Sequence, residues 1–192
     1  MKTITRSLLL ALPFFCATIA LAQHQTLTLN PDASGVKFLL ASNHDTTNGT
    51  FHVSKGVVEF DRSSPKMSGL IVVEANSGNT GNSGRDKKMA SQVLEATKFA
   101  EVTFAPQSYQ GTLAPSGDST LQVTGVFTLH GTPHDLTIPM QIHIDGAKCT
   151  AKTHFIVPYV AWGMKDPSWF VLKVAKEVDI DLSLVGSLSP AN

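Results

Sequence analysis

The chain has 192 residues, in which 15 Lys and Arg balance 15 Asp and Glu, with 7 His and 2 Cys. At 42% hydrophobic and 16% charged residues it has apolar material for a core and does not have the composition of a disordered chain. A formal net charge of zero argues against a nucleic-acid binder, which carries a basic excess on its working face.

The first element in chain order reads as an export signal. Lys2 and Arg6 give a positive start, the run from Leu8 to Leu21 is almost wholly apolar, and Ala20-Leu21-Ala22 fits a small-x-small cleavage site. The run is short for a spanning helix. Cys16 follows Phe14-Phe15 rather than small residues, which argues against a lipid anchor. The expected division is a signal peptide over 1–22 and one domain over 23–192, periplasmic or secreted, with no stable membrane insertion. Cleavage leaves Cys149 as the one cysteine, so no internal disulfide is expected.

Beyond residue 23 the dominant signal is period two, the mark of strands with one apolar face. Val36, Phe38 and Leu40 open it, and shorter strands follow at Gly56 to Phe60 and Leu70 to Ala75. Asn76 to Gly84 is a Gly/Asn/Ser loop. Ser83 and Asp86 there form a capping-box-like pair before the helix formers Lys87 to Leu94, with Met89 and Val93 on the side facing the protein. Strands resume at Glu101 to Tyr109, then at Leu121, Val123, Phe127 and Leu129, where Gly125 marks a bend or close approach. The clearest alternation is Leu136, Ile138, Met140, Ile142 and Ile144. His154 to Pro158 and Val178, Ile180, Leu182 and Leu184 complete the series. Turn chemistry falls at Asn30-Pro31-Asp32, Asn48-Gly49, Ser63-Ser64-Pro65, Pro115 to Asp118, Gly131-Thr132-Pro133 and Asp145-Gly146. About eight antiparallel strands with one short inserted helix make an all-β sandwich or barrel. At that strand number a barrel interior either fills with side chains or holds one small ligand.

The polar residues give little sign of catalysis. No H-E-x-x-H, C-x-x-C or G-x-S-x-G pattern occurs. His130 and His134 flank a turn, His44 and His52 bracket another, and His143 lies on the outward phase of its strand, so the histidines read as surface and turn residues. Cys149 reads as a half-buried strand thiol. Asp179 and Asp181 alternate with an apolar set and read as a solvated face. The loop Asn76 to Arg85 could cradle an anion, but Asp86 opposes that, and a structural role for Arg85-Asp86 is favoured. Trp162, Trp169 and Phe170 cluster in a segment punctuated by Gly163 and Pro167, which suggests either a lid over one barrel end, running from Tyr159 to Phe170, or ordinary core.

Several stretches taken together resemble the YceI-like family of exported, lipocalin-like proteins. They are Ser34-Gly35-Val36-Lys37-Phe38, Gly49-Thr50-Phe51, Gly56 to Asp61, and above all Asn79-Thr80-Gly81-Asn82-Ser83-Gly84-Arg85-Asp86 with Met89 and Ser91. Phe99, Val102-Thr103-Phe104, Gly125 to His134, Trp162-Gly163-Met164 and Val178 to Leu184 continue the likeness over the whole of 23–192. Departures fall at Val93-Leu94, where the family often has two aromatics, at Ala100 in place of a common proline, and over Pro158 to Phe170. The resemblance implies an extended antiparallel lipocalin-like barrel around an apolar tunnel for a polyisoprenoid or similar amphiphile, such as a quinone or polyprenyl tail. It implies a carrier, not an enzyme, with no cofactor beyond such a lipid and no nucleic-acid partner. The candidate ligand-binding residues are Phe38, Phe60, Ile71, Val73, Phe104, Phe127, Phe155, Trp162, Trp169 and Phe170. The rivals are an enzyme acting on a small hydrophobic substrate at the barrel mouth and a partner-binding sandwich with a filled core.

Overall fold

The computed structural model describes residues 24–191. The expected signal segment and its cleavage site lie outside the described residues. The ten strands are β1 (His24–Leu29), β2 (Gly35–Ala41), β3 (Thr46–Phe51), β4 (Val53–Asp61), β5 (Met67–Glu74), β6 (Glu101–Gln110), β7 (Gly117–Leu129), β8 (Thr132–Asp145), β9 (Lys148–Val157) and β10 (Val178–Pro190). They form one antiparallel sheet in the order β1-β4-β5-β6-β7-β8-β9-β10-β2-β3. A further β1–β10 pairing closes β1 and β4 to β10 into an eight-membered ring.

Two of the wall segments are interrupted strands. β1 pairs with Gly186 to Pro190 of β10, and β2 pairs with Asp179 to Ser183 of the same strand. The break between them is the single turn Pro31–Ala33, where Pro31 removes a donor and the Asn30 side chain accepts from the Asp32 N–H. Ser34 replaces the lost ladder: its hydroxyl accepts from Val185 N–H at 3.0 Å and donates to Val185 O at 3.2 Å. β3 and β4 are likewise two halves of one strand, β3 lying against β2 and β4 against β1. Taken as continuous strands, these make an up-and-down barrel in which consecutive segments are neighbours, the economical solution to exposed sheet edges.

Two local expectations are corrected, and one strand was not foreseen. Asn48-Gly49 is not a turn but lies in the middle of β3, with Gly49 paired to Phe38; a side chain at Gly49 would collide with the Phe38 ring. The polar run Thr46 to Thr50 hid this strand, because only alternate residues touch the interior. β1 is also a strand, carried by Leu27 and Leu29 alone. The helix α1 (Ser83–Lys88) continues into a wider π turn over Met89–Val93, and its cap is Asn82 rather than Ser83. The Asn82 carboxamide oxygen accepts from Gly84 and Arg85 N–H, both at 3.1 Å. Asp86 instead accepts from Thr80 N–H at 2.9 Å and from the Thr80 hydroxyl at 2.6 Å. Gly125 fulfils the close-approach expectation: a Cβ there would strike Ala105 O and the Pro106 backbone across β6, beside the bulge between Pro106 and Ser108.

The barrel is regular at one end and frayed at the other. β8 pairs with β9 only from Gln141–Asp145 to Lys148–Lys152, so the first half of β8 and the last half of β9 diverge. Pro139 sits in that diverging half, where its missing N–H deprives only a free edge. β3 has no strand beyond it; instead Thr50 and Asn79 exchange backbone hydrogen bonds of 2.9 and 3.0 Å, so the segment carrying α1 plugs the opening. That segment is also pinned at its far end. His130 in the β7–β8 turn bonds Glu95 through Nε2 at 2.6 Å and packs on the Phe99 ring at 4.2 Å.

Candidate functional site: an apolar cavity at the frayed end

The inward side chains divide the barrel into a filled half and a hollow half. In the filled half Leu27, Leu29, Val58, Phe60, Tyr109, Leu121, Val123, Met140, Ile144, Cys149, Ala151 and Leu184 pack together without reaching the cavity, in a cluster that continues into its wall through Val36, Ile71, Phe104 and Ile138. Toward the frayed end the same strands surround a cavity of about 880 Å³, within the size range of sites for small ligands.

The wall is built from alternate residues of almost every strand. β2 supplies Val36, Phe38 and Leu40, β5 Ile71 and Val73, and β6 Val102 and Phe104. β7 supplies Phe127 and Leu129, β8 Leu136 and Ile138, β9 Phe155 and Val157, and β10 Val178, Ile180 and Leu182. Period-two alternation aims each of these inward, and the divergence of β3 and of β8 from their neighbours widens the space they enclose. Met89, Val93 and Leu94 of the inserted segment and Tyr159, Met164, Pro167, Trp169, Leu172 and Val174 of the β9–β10 connection complete the lining. Polar groups are confined almost wholly to one lip: Ser42, His44, Asp45 and Thr47 from the β2–β3 hairpin, and Thr80, Asn82, Arg85 and Lys88 from the insert. The Arg85 guanidinium binds Thr80 Oγ1 at 2.8 Å, Thr80 O at 3.2 Å and Thr47 Oγ1 at 3.2 Å, tying the two sides of that lip together.

Of the residues singled out from sequence, Phe38, Ile71, Val73, Phe104, Phe127, Phe155 and Trp169 all reach the cavity. Three do not. Phe60 points inward but belongs to the filled half. Trp162 lies at the gap between β8 and β9, stacked face to face on His134 at 3.9 Å and touching Phe127 at 5.8 Å between centroids. Phe170 points into solvent. The clustered aromatics of the β9–β10 connection therefore have three separate environments, which spacing in a loop without periodicity does not reveal. Many lining residues were not among those candidates, Leu40, Leu94, Met164 and Leu172 among them. For Leu40 the signal was present in the β2 alternation; the other three lie in irregular segments.

The buried thiol and two of the carboxylate-paired histidines stand apart from the cavity, whereas His44, Asp45 and Tyr159 line it. Cys149 is buried in the filled half, and burial pushes its thiol up to about 11, so it stays protonated at neutral pH. His143 bonds Asp118 at 2.7 Å, and His154 bonds Asp181 at 3.0 Å, both on the outer surface. Tyr159, at the cavity, donates its hydroxyl to Ala175 O at 2.7 Å; burial and then Asp166 push that hydroxyl up to about 12. Among the described residues no three His, Cys, Asp or Glu side chains are grouped to hold a metal ion, and no helix is long and apolar enough to cross a bilayer.

Comparison with known proteins agrees with this architecture. The model of the YceI-like domain matches residues 27–186. A UPF0312 protein of Pseudomonas fluorescens (strain SBW25) is 30% identical over 149 residues, covering 72% of each chain. Among solved structures, Burkholderia cenocepacia BcnA superposes with a TM-score of 0.65 at 22% identity, covering 82% of this chain and 98% of that one. A polyisoprenoid binding domain from Saccharophagus degradans gives 0.64 at 14% identity, covering 88% and 99%. At these identities the two structures speak for the fold.

Proposed function

This chain belongs to the YceI-like family, and from that premise we propose that it binds a polyisoprenoid or similar amphiphile non-covalently, tail in the hollow half and head at the polar lip. The observation that carries the reading is the cavity of about 880 Å³, apolar in its depth and polar mainly along the Ser42–Thr47 and Thr80–Lys88 side. Burying each CH₂ of a tail contributes about 0.8 kcal/mol, so a hydrocarbon chain is held by shape and apolar contact alone. The filled half sets the floor that limits tail length. A polyisoprenoid-binding neighbour of the same fold supports the ligand class.

The proposed role is that of a carrier rather than an enzyme, moving or storing the lipid after export of the 23–192 domain. It needs no reacting group in the cavity, and the protonated, buried Cys149 is consistent with that. Solvent extraction of the purified mature protein followed by mass spectrometry tests the ligand. A co-purified polyprenyl or quinone lipid is the expected result. An empty protein that also fails to take up a fluorescent isoprenoid overturns the reading. N-terminal sequencing of exported material tests the export, which predicts a start at Gln23.

A further inference from the structure

The β9–β10 connection carries a tight hairpin that holds three consecutive apolar side chains in water. Trp169, Phe170 and Val171 are 76%, 85% and 60% exposed. Single exposed apolar residues are ordinary on protein surfaces; a contiguous trio at a projecting tip marks an interaction site.

The tip is firmly built. Trp169 and Leu172 exchange both backbone hydrogen bonds, at 2.9 and 2.6 Å. Asn43, in the β2–β3 turn, clamps it from the side. Its Nδ2 donates to Val171 O at 2.9 Å, its Oδ1 accepts from Lys173 N–H at 2.8 Å, and its own N–H donates to Lys173 O at 2.9 Å. Phe170 has a φ of 28°, in the left-handed region that a bulky residue avoids. Hydrogen bonds and backbone strain thus combine to present the Trp169–Val171 side chains outward.

The position of the tip is as informative as its exposure. Trp169 and Leu172 border the cavity, so the tip stands on its rim. On this rim and connection Arg85, Lys88, Lys165 and Lys173 outnumber Asp45 and Asp166, and Lys176 and Glu177 just beyond offset each other. Asp166 is itself engaged, accepting from Ser168 N–H at 2.8 Å. Trp and Phe favour the membrane–water interface, and flanking cations favour an anionic lipid surface.

We propose that the Trp169–Val171 tip docks the barrel reversibly on an anionic lipid bilayer with the cavity mouth toward the headgroups. An amphiphile then passes between bilayer and cavity without its tail crossing water. The docking rests on the tip and its cationic surround; only its purpose, loading the cavity, rests on the function proposed above.

The chain has two tryptophans, so Trp162→Phe in the mature protein leaves Trp169 as the reporter. Vesicles of phosphatidylcholine and phosphatidylglycerol, free of isoprenoid, are expected to shift Trp169 emission to the blue. Acyl chains brominated near the headgroup should quench it. Adding Phe170→Ser and Val171→Ser should weaken vesicle partitioning at least about tenfold, with the unfolding midpoint unchanged because both side chains are already in water. Raising the salt should weaken binding further. The proposal is overturned if vesicles leave Trp169 emission unmoved, if the double replacement binds vesicles as well as before, or if Trp169 is already blue-shifted without lipid because the tip is covered by the protein itself or a second copy. A soluble short-chain fluorescent isoprenoid, titrated in parallel, separates the two readings. Its binding without vesicle docking removes this proposal alone, and docking without its binding removes only the cavity's ligand.

Discussion

Cys149, 5% exposed and packed in the filled half, gives the molecule a predictable alkaline limit. Burial raises its thiol from 9.0 to about 11, with Arg62 pulling the other way. The folded protein therefore holds this proton more tightly than the unfolded chain does. The stability so contributed is complete below pH 9 and drains away as pH rises through about 11. Tyr159, raised from 10.0 to about 12, extends the loss upward. Urea unfolding across this window should show falling stability, and Cys149→Ala should flatten its lower part; an unaltered profile would assign the loss elsewhere. Gly125 is the other decisive single position. A methyl group there meets the backbone of Ala105 and Pro106, which cannot rotate aside. Gly125→Ala is expected to cost about 1–3 kcal/mol, the usual range for overpacking, as read by the denaturation midpoint.

Among the elements, the inserted segment and the β9–β10 connection do comparable work. Each closes an opening where two neighbouring strands part, and each contributes lining in the same act. Asn82→Ala removes the acceptor for two N–H groups of α1 and should cost about 1 kcal/mol. Hydrogen exchange should then quicken in Ser83–Lys88 and spare the filled half; uniform quickening would mean that the insert unfolds only with the barrel. Trp162→Ala removes the ring stacked on His134. Because Trp162 is only partly buried, the loss should lie at or below the lower end of the about 3–5 kcal/mol typical of buried aromatics. Exchange should rise most in Leu136–Ile138 and Phe155–Val157, the edges where β8 and β9 are not paired. No such rise would leave Trp162 a surface ornament and the gap self-supporting.

For the whole molecule, the division into filled and hollow halves is what joins stability to binding. Phe60 and Phe155 both fall on inward phases, yet Phe60 is 6% exposed inside packed core while Phe155 faces the cavity. Phe60→Ala should cost about 3–5 kcal/mol and leave isoprenoid affinity in the surviving folded protein unchanged. Phe155→Ala should cost less, since one side of the ring already faces open space, and should weaken isoprenoid binding. Urea denaturation paired with titration of a fluorescent isoprenoid reads both effects. Equal stability losses with equal affinities would mean that the cavity closes up in solution.

The alternation at Leu136 to Ile144 and at Val178 to Leu184 was sufficient by itself to specify strands and their inward faces, because side-chain direction in a strand has period two whatever the neighbours are. The Gly/Asn/Ser run before residue 87 likewise located the one helical insert. Of the ten lining candidates named from sequence, seven reach the cavity, since inward-facing is a local property. Whether an inward residue meets packed core or open space is not local. It depends on where β8 leaves β9 and where β3 loses its outer neighbour, and those divergences arise from pairing between segments far apart in the chain. For that reason Phe60 could not be told from Phe104, nor β3 be seen through its Thr and Asn residues. The three aromatics between Tyr159 and Phe170 were separated into a wedge, a rim residue and an exposed tip only by contacts with His134, the cavity and Asn43, which no spacing within the loop encodes.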